Sequence, residues 1–213
     1  MGQTVDVRFL TIVRHAKAER SSSDGSDFAR ELNGKGHRQC RELRIWASDD
    51  QQLGRFGPTT ALVSSAARTQ ETFREAFKGT PFVADYHEST LIYNGLRNVS
   101  AEDVLIDLAA IDPVTTSLLL VGHNPTVLDL LVTLAKDLPF ELSRDYPLAG
   151  ACVLQLRDDE PIVMSTDLTA LSFRSANEGN FSCASCAAAS TGSTRQASAA
   201  ASVRVCMRLP PYI

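Results

Sequence analysis

The chain has 213 residues, 44% of them hydrophobic, and a formal net charge of −4, enough for one sizeable core. The slight acidity argues against a general nucleic-acid or membrane-surface binder, whose footprint is a basic excess. No apolar run reaches transmembrane length and the N-terminus lacks a secretory pattern, so the expectation is a cytoplasmic protein with no nucleic-acid or membrane partner.

Val5–Val13 reads as a buried strand that ends in Arg14 and His15. Asn33 is placed to cap a helix from Gly34 to Ser48, with Cys40, Leu43 and Trp46 on its apolar side. Thr60–Ser64 is a short strand and Ala67–Phe77 a helix, followed by a third strand at Pro81–Ala84. Ala101–Ile111 reads as a helix with Val104, Leu105, Leu108 and Ile111 on one face. Ser117–Val121 (SLLLV) is an apolar strand, and Pro125–Leu134 a helix with proline in its first turn. Ala151–Leu156 and Ile162–Ser165 complete the sheet. Strands alternating with helical patterns imply an α/β fold, a three-layer sandwich with a mostly parallel central sheet flanked by helices.

The composition changes near residue 172. Ser172–Ser202 is mostly Ala, Ser, Gly, Thr and Asn, too poor in apolar surface to offset its ordering entropy. The expected organisation is a catalytic domain over 1–172 and a Ser/Ala-rich, disordered tail over 173–213. Cys183 and Cys186 form a CxxC there, without the second pair that zinc spacing requires. No metal or other cofactor is expected.

In open α/β sheets, ligands gather beyond the carboxyl ends of the strands. Three predicted strands end in chemically capable residues: Arg14 and His15 after the first, Arg68 after the second, His123 and Asn124 after SLLLV. Arginine presents a planar fork of donors that matches phosphate oxygens, and helix N-termini add unpaired N–H groups. A histidine beside such cations resists protonation and keeps a lone pair able to attack phosphorus. Taken singly, each of these residues has an ordinary structural explanation; their joint occurrence at three strand-to-helix corners points to phosphoryl chemistry.

At these residues the sequence resembles the histidine phosphatase superfamily, the phosphoglycerate mutase-like proteins, and "VRHAKAE" resembles its small SixA-like phosphohistidine phosphatase branch. "SDFARELNGKG" (26–36) is similar to the branch's Asp-x-x-Arg-x-Leu-[Thr/Asn]-x-x-Gly segment, "SSAARTQET" (64–72) to Ser-Ser-x-x-x-Arg-x-x-x-Thr, and "LLLVGHNP" (118–125) to the closing Val-Gly-His-Asn-Pro. The resemblance covers about residues 7 to 168. It implies a phosphoglycerate mutase-like fold without a large cap domain, a metal-independent phosphatase activity, a nucleophile at His15 that becomes phosphorylated, and phosphoryl ligands at Arg14, Arg68 and His123. It also draws attention to Lys17 and Asn33 as candidate substrate-binding groups.

Relatives of the mutase kind carry a carboxylic acid in a Leu-x-Glu pattern after the third strand. Here the nearest match is Leu91–Ile92–Tyr93, and Glu88 is the closest candidate acid. A phosphohistidine releases an imidazole, a better leaving group than an alkoxide, so the missing acid favours a phosphorylated protein as substrate. A phosphatase for a small metabolite or nucleotide, and a non-catalytic phosphate-binding module, are the competing readings.

Overall fold

In the computed structural model, residues 8–93, 99–111, 117–135, 145–156, 172–174 and 206–208 are described. The first strand, β1 (Arg8–Arg14), lies in the middle of the sheet. It is followed by α1 (Gly34–Ser48), a 3₁₀ turn at Gly54–Phe56, β2 (Thr59–Ser64), α2 (Ala67–Ala76) and β3 (Val83–Ser89). The chain continues through α3 (Ala101–Ala109), β4 (Ser117–Gly122), α4 (Thr126–Leu134), β5 (Ala151–Leu156), β6 (Ser172–Arg174) and β7 (Cys206–Arg208). The strand order is β3-β2-β4-β1-β5-β7-β6. The pairs β3–β2, β2–β4 and β4–β1 are parallel, whereas β5 runs antiparallel to β1. The expected sandwich with a mostly parallel sheet is the fold observed.

The central strands β1, β2 and β4 are buried on both faces, which is why SLLLV carries no polar alternation. Leu118 and Leu120 of β4, with Leu10 and Ile12 of β1, pack beneath α3 and α4 against Leu108, Leu130 and Leu131. Their neighbours Leu119, Val121 and Val13 face the other way, into a second cluster with Leu43 and Trp46 of α1 and Phe73 and Phe77 at α2. Side chains two residues apart share a face of a pleated strand, so one short apolar run supplies both halves of the core.

Local signals account for the helix starts. Asn33 accepts hydrogen bonds from the backbone N–H groups of Lys35 and Gly36, both at 3.0 Å, and so caps α1. Ser100 and Asp103 form a reciprocal capping box on α3. Gly36 lies against the carbonyl of Lys17, where a Cβ atom would collide with that oxygen.

Three expectations change or fall away. The third strand is not Pro81–Ala84 but Val83–Ser89, and most of it is exposed; an edge strand pairing on one side only needs no apolar alternation, so composition gave little sign of it. The strand expected at Ile162–Ser165 lies outside the described residues, as does the CxxC at Cys183–Cys186. Within the span read as a tail, Cys206–Arg208 pairs with the free edge of β5, and Ser172–Arg174 pairs in turn with it. No helix among the described residues is long and apolar enough to cross a membrane.

Candidate active site

The carboxyl ends of the parallel strands β1, β2 and β4 lie side by side, with Val13 opposite Val121 and Val63 also opposite Val121. Beyond them opens a cavity of about 410 Å³ lined by Arg14, His15, Lys17, Arg68 and His123, together with Asp27, Arg30 and Asn124. The four residues expected at the strand ends are therefore brought together. The rings of His15 and His123 are 5.1 Å apart between centroids, tilted by 56°.

His15 follows β1 directly, and its backbone remains stitched to the sheet. Its N–H donates to the Gly122 carbonyl at 3.0 Å, and its own carbonyl accepts from Ala149 at 3.1 Å. The side chain is 8% exposed. Its Nδ1 is 2.8 Å from the carbonyl oxygen of Ala16. A carbonyl only accepts, so Nδ1 carries the proton and Nε2 keeps the lone pair. Burial lowers the His15 pKa to about 3; the Ala16 hydrogen bond opposes the shift, and the charges of Arg68, Arg14 and Arg30 reinforce it. The ring is neutral at physiological pH.

His123 sits at the end of β4 just before α4, with Nε2 2.8 Å from the Ser64 hydroxyl at the end of β2. Burial first, then His15 and the arginines, lower its pKa to about 2. Its Nδ1 is buried without a partner among the described residues.

The two arginines are anchored alike. Arg14 donates through Nη1 to the Asp145 carboxylate at 3.0 Å and to the Tyr146 carbonyl. Arg68, in the first turn of α2, donates through Nη1 to the Asp27 carbonyl at 2.7 Å and through Nη2 to the Asp27 carboxylate at 2.9 Å. In both guanidinium groups Nε is buried and has no partner among the described residues. Thr72, one turn after Arg68, accepts from the N–H of Ala16 at 3.0 Å and donates to the Arg68 carbonyl at 2.6 Å. Helix α2 is thereby tied to the loop that carries the nucleophile candidate.

The remaining expected residues fall elsewhere. Lys17 lines the cavity but is exposed. Asn33 is engaged as the cap of α1 and is absent from the cavity lining, so its part is structural. Glu88 is exposed on β3, opposite Val63, and is also absent from the lining, so it is not positioned as a general acid.

Sequence reasoning gave no role to Asp27, Arg30, Ser64, Thr72 or Asp145, and named Tyr93 and Asn124 without assigning them contacts. The first four lie inside the motifs quoted above, so their spacing was the available signal. Tyr93 occupies the place of the absent acid: its hydroxyl donates to Asp27 at 3.0 Å and its ring stands 5.8 Å from that of His123. Asn124 donates to Asp145 at 3.0 Å and to the Tyr146 carbonyl at 3.2 Å, the same two acceptors that hold Arg14.

No family model matches the sequence, and no curated protein matches it. Solved structures do. A protein described as a phosphohistidine phosphatase SixA from Agrobacterium tumefaciens is 26% identical, with a TM-score of 0.56 over 70% of this chain and 95% of the other. A protein histidine phosphatase SixA complexed with tungstate is 20% identical, with a TM-score of 0.57 over 71% and 90%. The corresponding protein of Nakamurella multipartitia is 23% identical, with a TM-score of 0.56 over 70% and 84%. This chain has the histidine phosphatase fold. Among proteins of that fold it resembles the SixA structures.

The depressed imidazoles of this histidine phosphatase fold have a stability consequence. Above pH 6.5, the unperturbed value, both rings are neutral whether the chain is folded or not. As pH falls below 6.5 the unfolded chain takes up protons that the folded chain refuses, so stability drops by about 1.4 kcal/mol per pH unit for each ring until the folded values are reached. His15→Asn should therefore flatten the dependence of unfolding free energy on pH between 6 and 4 by about that amount per unit. Urea titrations across that range check it, and an undiminished slope would show that His15 titrates normally in the folded protein.

Proposed function

We propose that the protein is a phosphatase that removes the phosphoryl group from protein phosphohistidine through a phosphohistidine formed on His15. The observation that carries the reading is the geometry of His15: with Nδ1 engaged by the Ala16 carbonyl, Nε2 is a neutral nucleophile at the floor of a cationic cavity. Nε2 attacks phosphorus as the bond from phosphorus to the substrate's ring nitrogen breaks, and the departing imidazole takes its proton from solvent. Water then attacks phosphorus, the bond to His15 breaks, and inorganic phosphate leaves.

Around that transfer the donors left unpaired by the protein, Arg14 Nε and Arg68 Nε, supply hydrogen bonds to the phosphoryl oxygens. With the Ser64 hydroxyl donating to Nε2 of His123, the proton of that ring resides on Nδ1 and adds a third donor. Fixed donors of this kind stabilise charge without reorganising as it develops. The catalytic unit is read as residues 1–172.

The acids present support that substrate class. Among the described residues, the carboxylates lining the cavity are Glu19 and Asp27. Glu19 is exposed, and Asp27 is committed to Arg68, Arg30 and Tyr93. Neither is a sequestered protonated acid of the kind that an alkoxide leaving group requires. An imidazole leaving group does not need one.

The test is a panel without added metal: a phosphohistidine peptide, an aryl phosphate, sugar phosphates and nucleotides. Turnover of the first two alone is the expected result. Preferential hydrolysis of sugar phosphates or nucleotides would move the substrate to small metabolites, and phosphate binding without any turnover would make the domain a binding module.

A further inference from the structure

Arg68 does not stand free in the cavity. Both of its terminal nitrogens are taken by a single residue, Asp27, one by the backbone carbonyl at 2.7 Å and the other by carboxylate Oδ2 at 2.9 Å. The same Oδ2 accepts from the Tyr93 hydroxyl at 3.0 Å, while Oδ1 lies 3.1 Å from Nε of Arg30. Three side chains, two of them lining the cavity, thus converge on one carboxylate. Desolvation pushes the Asp27 carboxyl up, but Arg68, Tyr93 and Arg30 outweigh it and hold the group below its usual range, hence ionised.

The loop that presents Asp27 is itself braced. Ser26 donates from its backbone N–H to Asp24 at 2.9 Å, Ala29 donates to the Ser26 hydroxyl at 3.2 Å, and the N–H of Ala67, the residue before Arg68, donates to the Phe28 carbonyl at 3.0 Å. Loop and helix start are therefore held in register on both sides of the Asp27–Arg68 contact.

We infer that Asp27 is a positioning residue for the phosphoryl-binding Arg68: it grips the outer end of that side chain and fixes its guanidinium plane before an oxyanion arrives, with Arg30 held beside it by charge alone. The inference rests on the phosphoryl-site reading given above. Gripping the outer end leaves Nε of Arg68, buried and otherwise unpaired, as the donor for substrate. The opposite possibility is that Asp27 competes with phosphate for Arg68. The two differ in sign, since removal of a positioner weakens phosphate binding and removal of a competitor strengthens it.

Asp27→Ala and Asp27→Asn distinguish them, with inorganic phosphate affinity measured by calorimetry, kcat and KM measured on an aryl phosphate, and thermal midpoints compared. In Asp27→Ala, phosphate affinity should fall about tenfold and kcat/KM on the order of 100-fold, the scale of a misplaced catalytic group. Asp27→Asn keeps an acceptor oxygen for Arg68 and should recover part of both. Unchanged or tighter phosphate binding in folded Asp27→Ala overturns the assignment. Should that variant fail to fold, Asp27→Asn decides alone: weaker phosphate binding sustains the role and wild-type binding overturns it. If the wild type binds phosphate but hydrolyses nothing, the phosphatase reading falls while the affinities still decide the role of Asp27.

Discussion

His15→Ala should abolish turnover of the phosphohistidine peptide, lowering kcat by about 10⁴-fold or more, while inorganic phosphate continues to bind. The substitution removes the only atom proposed to make a bond to phosphorus. It leaves Arg14 on Asp145 and Arg68 on Asp27, and those contacts do not involve the imidazole. It also removes a buried neutral ring held by one hydrogen bond to a backbone carbonyl, so the fold should survive. The check combines steady-state rates with acid-labile phosphate trapped on the enzyme after rapid mixing: the wild type should carry label and the variant none. Retained turnover or retained label in His15→Ala would move the nucleophile elsewhere.

Arg68→Ala should impair both binding and rate, with kcat/KM falling on the order of 10³-fold. Two effects add. The guanidinium that meets the phosphoryl oxygens is lost, and Asp27 is left with less positive charge beside it, close to an incoming dianion. Arg68→Lys should restore little, because an ammonium cannot hold the Asp27 carbonyl, hold its carboxylate and still present a further donor in one plane. Phosphate titration beside steady-state kinetics checks this, and a loss confined to either binding or rate would contradict a role in both ground and transition states.

The fold was readable in the sequence wherever burial dictated composition. SLLLV and FLTIV are apolar but for Ser117 and Thr11 because both faces of a central parallel strand are covered, and Asn33 marked the start of α1 because helix ends need side-chain acceptors. The exposed β3 was displaced by several residues because an edge strand obeys weaker rules. In the site, Arg14, His15, Arg68 and His123 were legible from their places at strand ends, since the sheet alone brings such corners together. Tyr93 and Asp145 were not, because nothing local ties them to the arginines they contact, and Asp27, though set three residues before Arg30 in a quoted motif, gave no local sign of its contact with Arg68. Asp145 meets Arg14 across 131 positions of chain, and only the folded arrangement shows that each guanidinium is held by a carboxylate and a carbonyl. Glu88 illustrates the converse: proximity in sequence to the third strand placed it on a solvent-facing edge rather than at the reaction centre.

The contact between Gly36 and the Lys17 carbonyl reaches further than helix packing. The N–H of Asn33 donates to the same carbonyl at 3.0 Å, so the rim that runs from Lys17 to Arg20 is moored directly on the opening turn of α1. A single methyl group at position 36 would act as a wedge under that rim and prise it away from the helix. A residue outside the cavity lining thus supports part of its rim, and enlarging it would disturb that rim without altering any residue that lines the cavity.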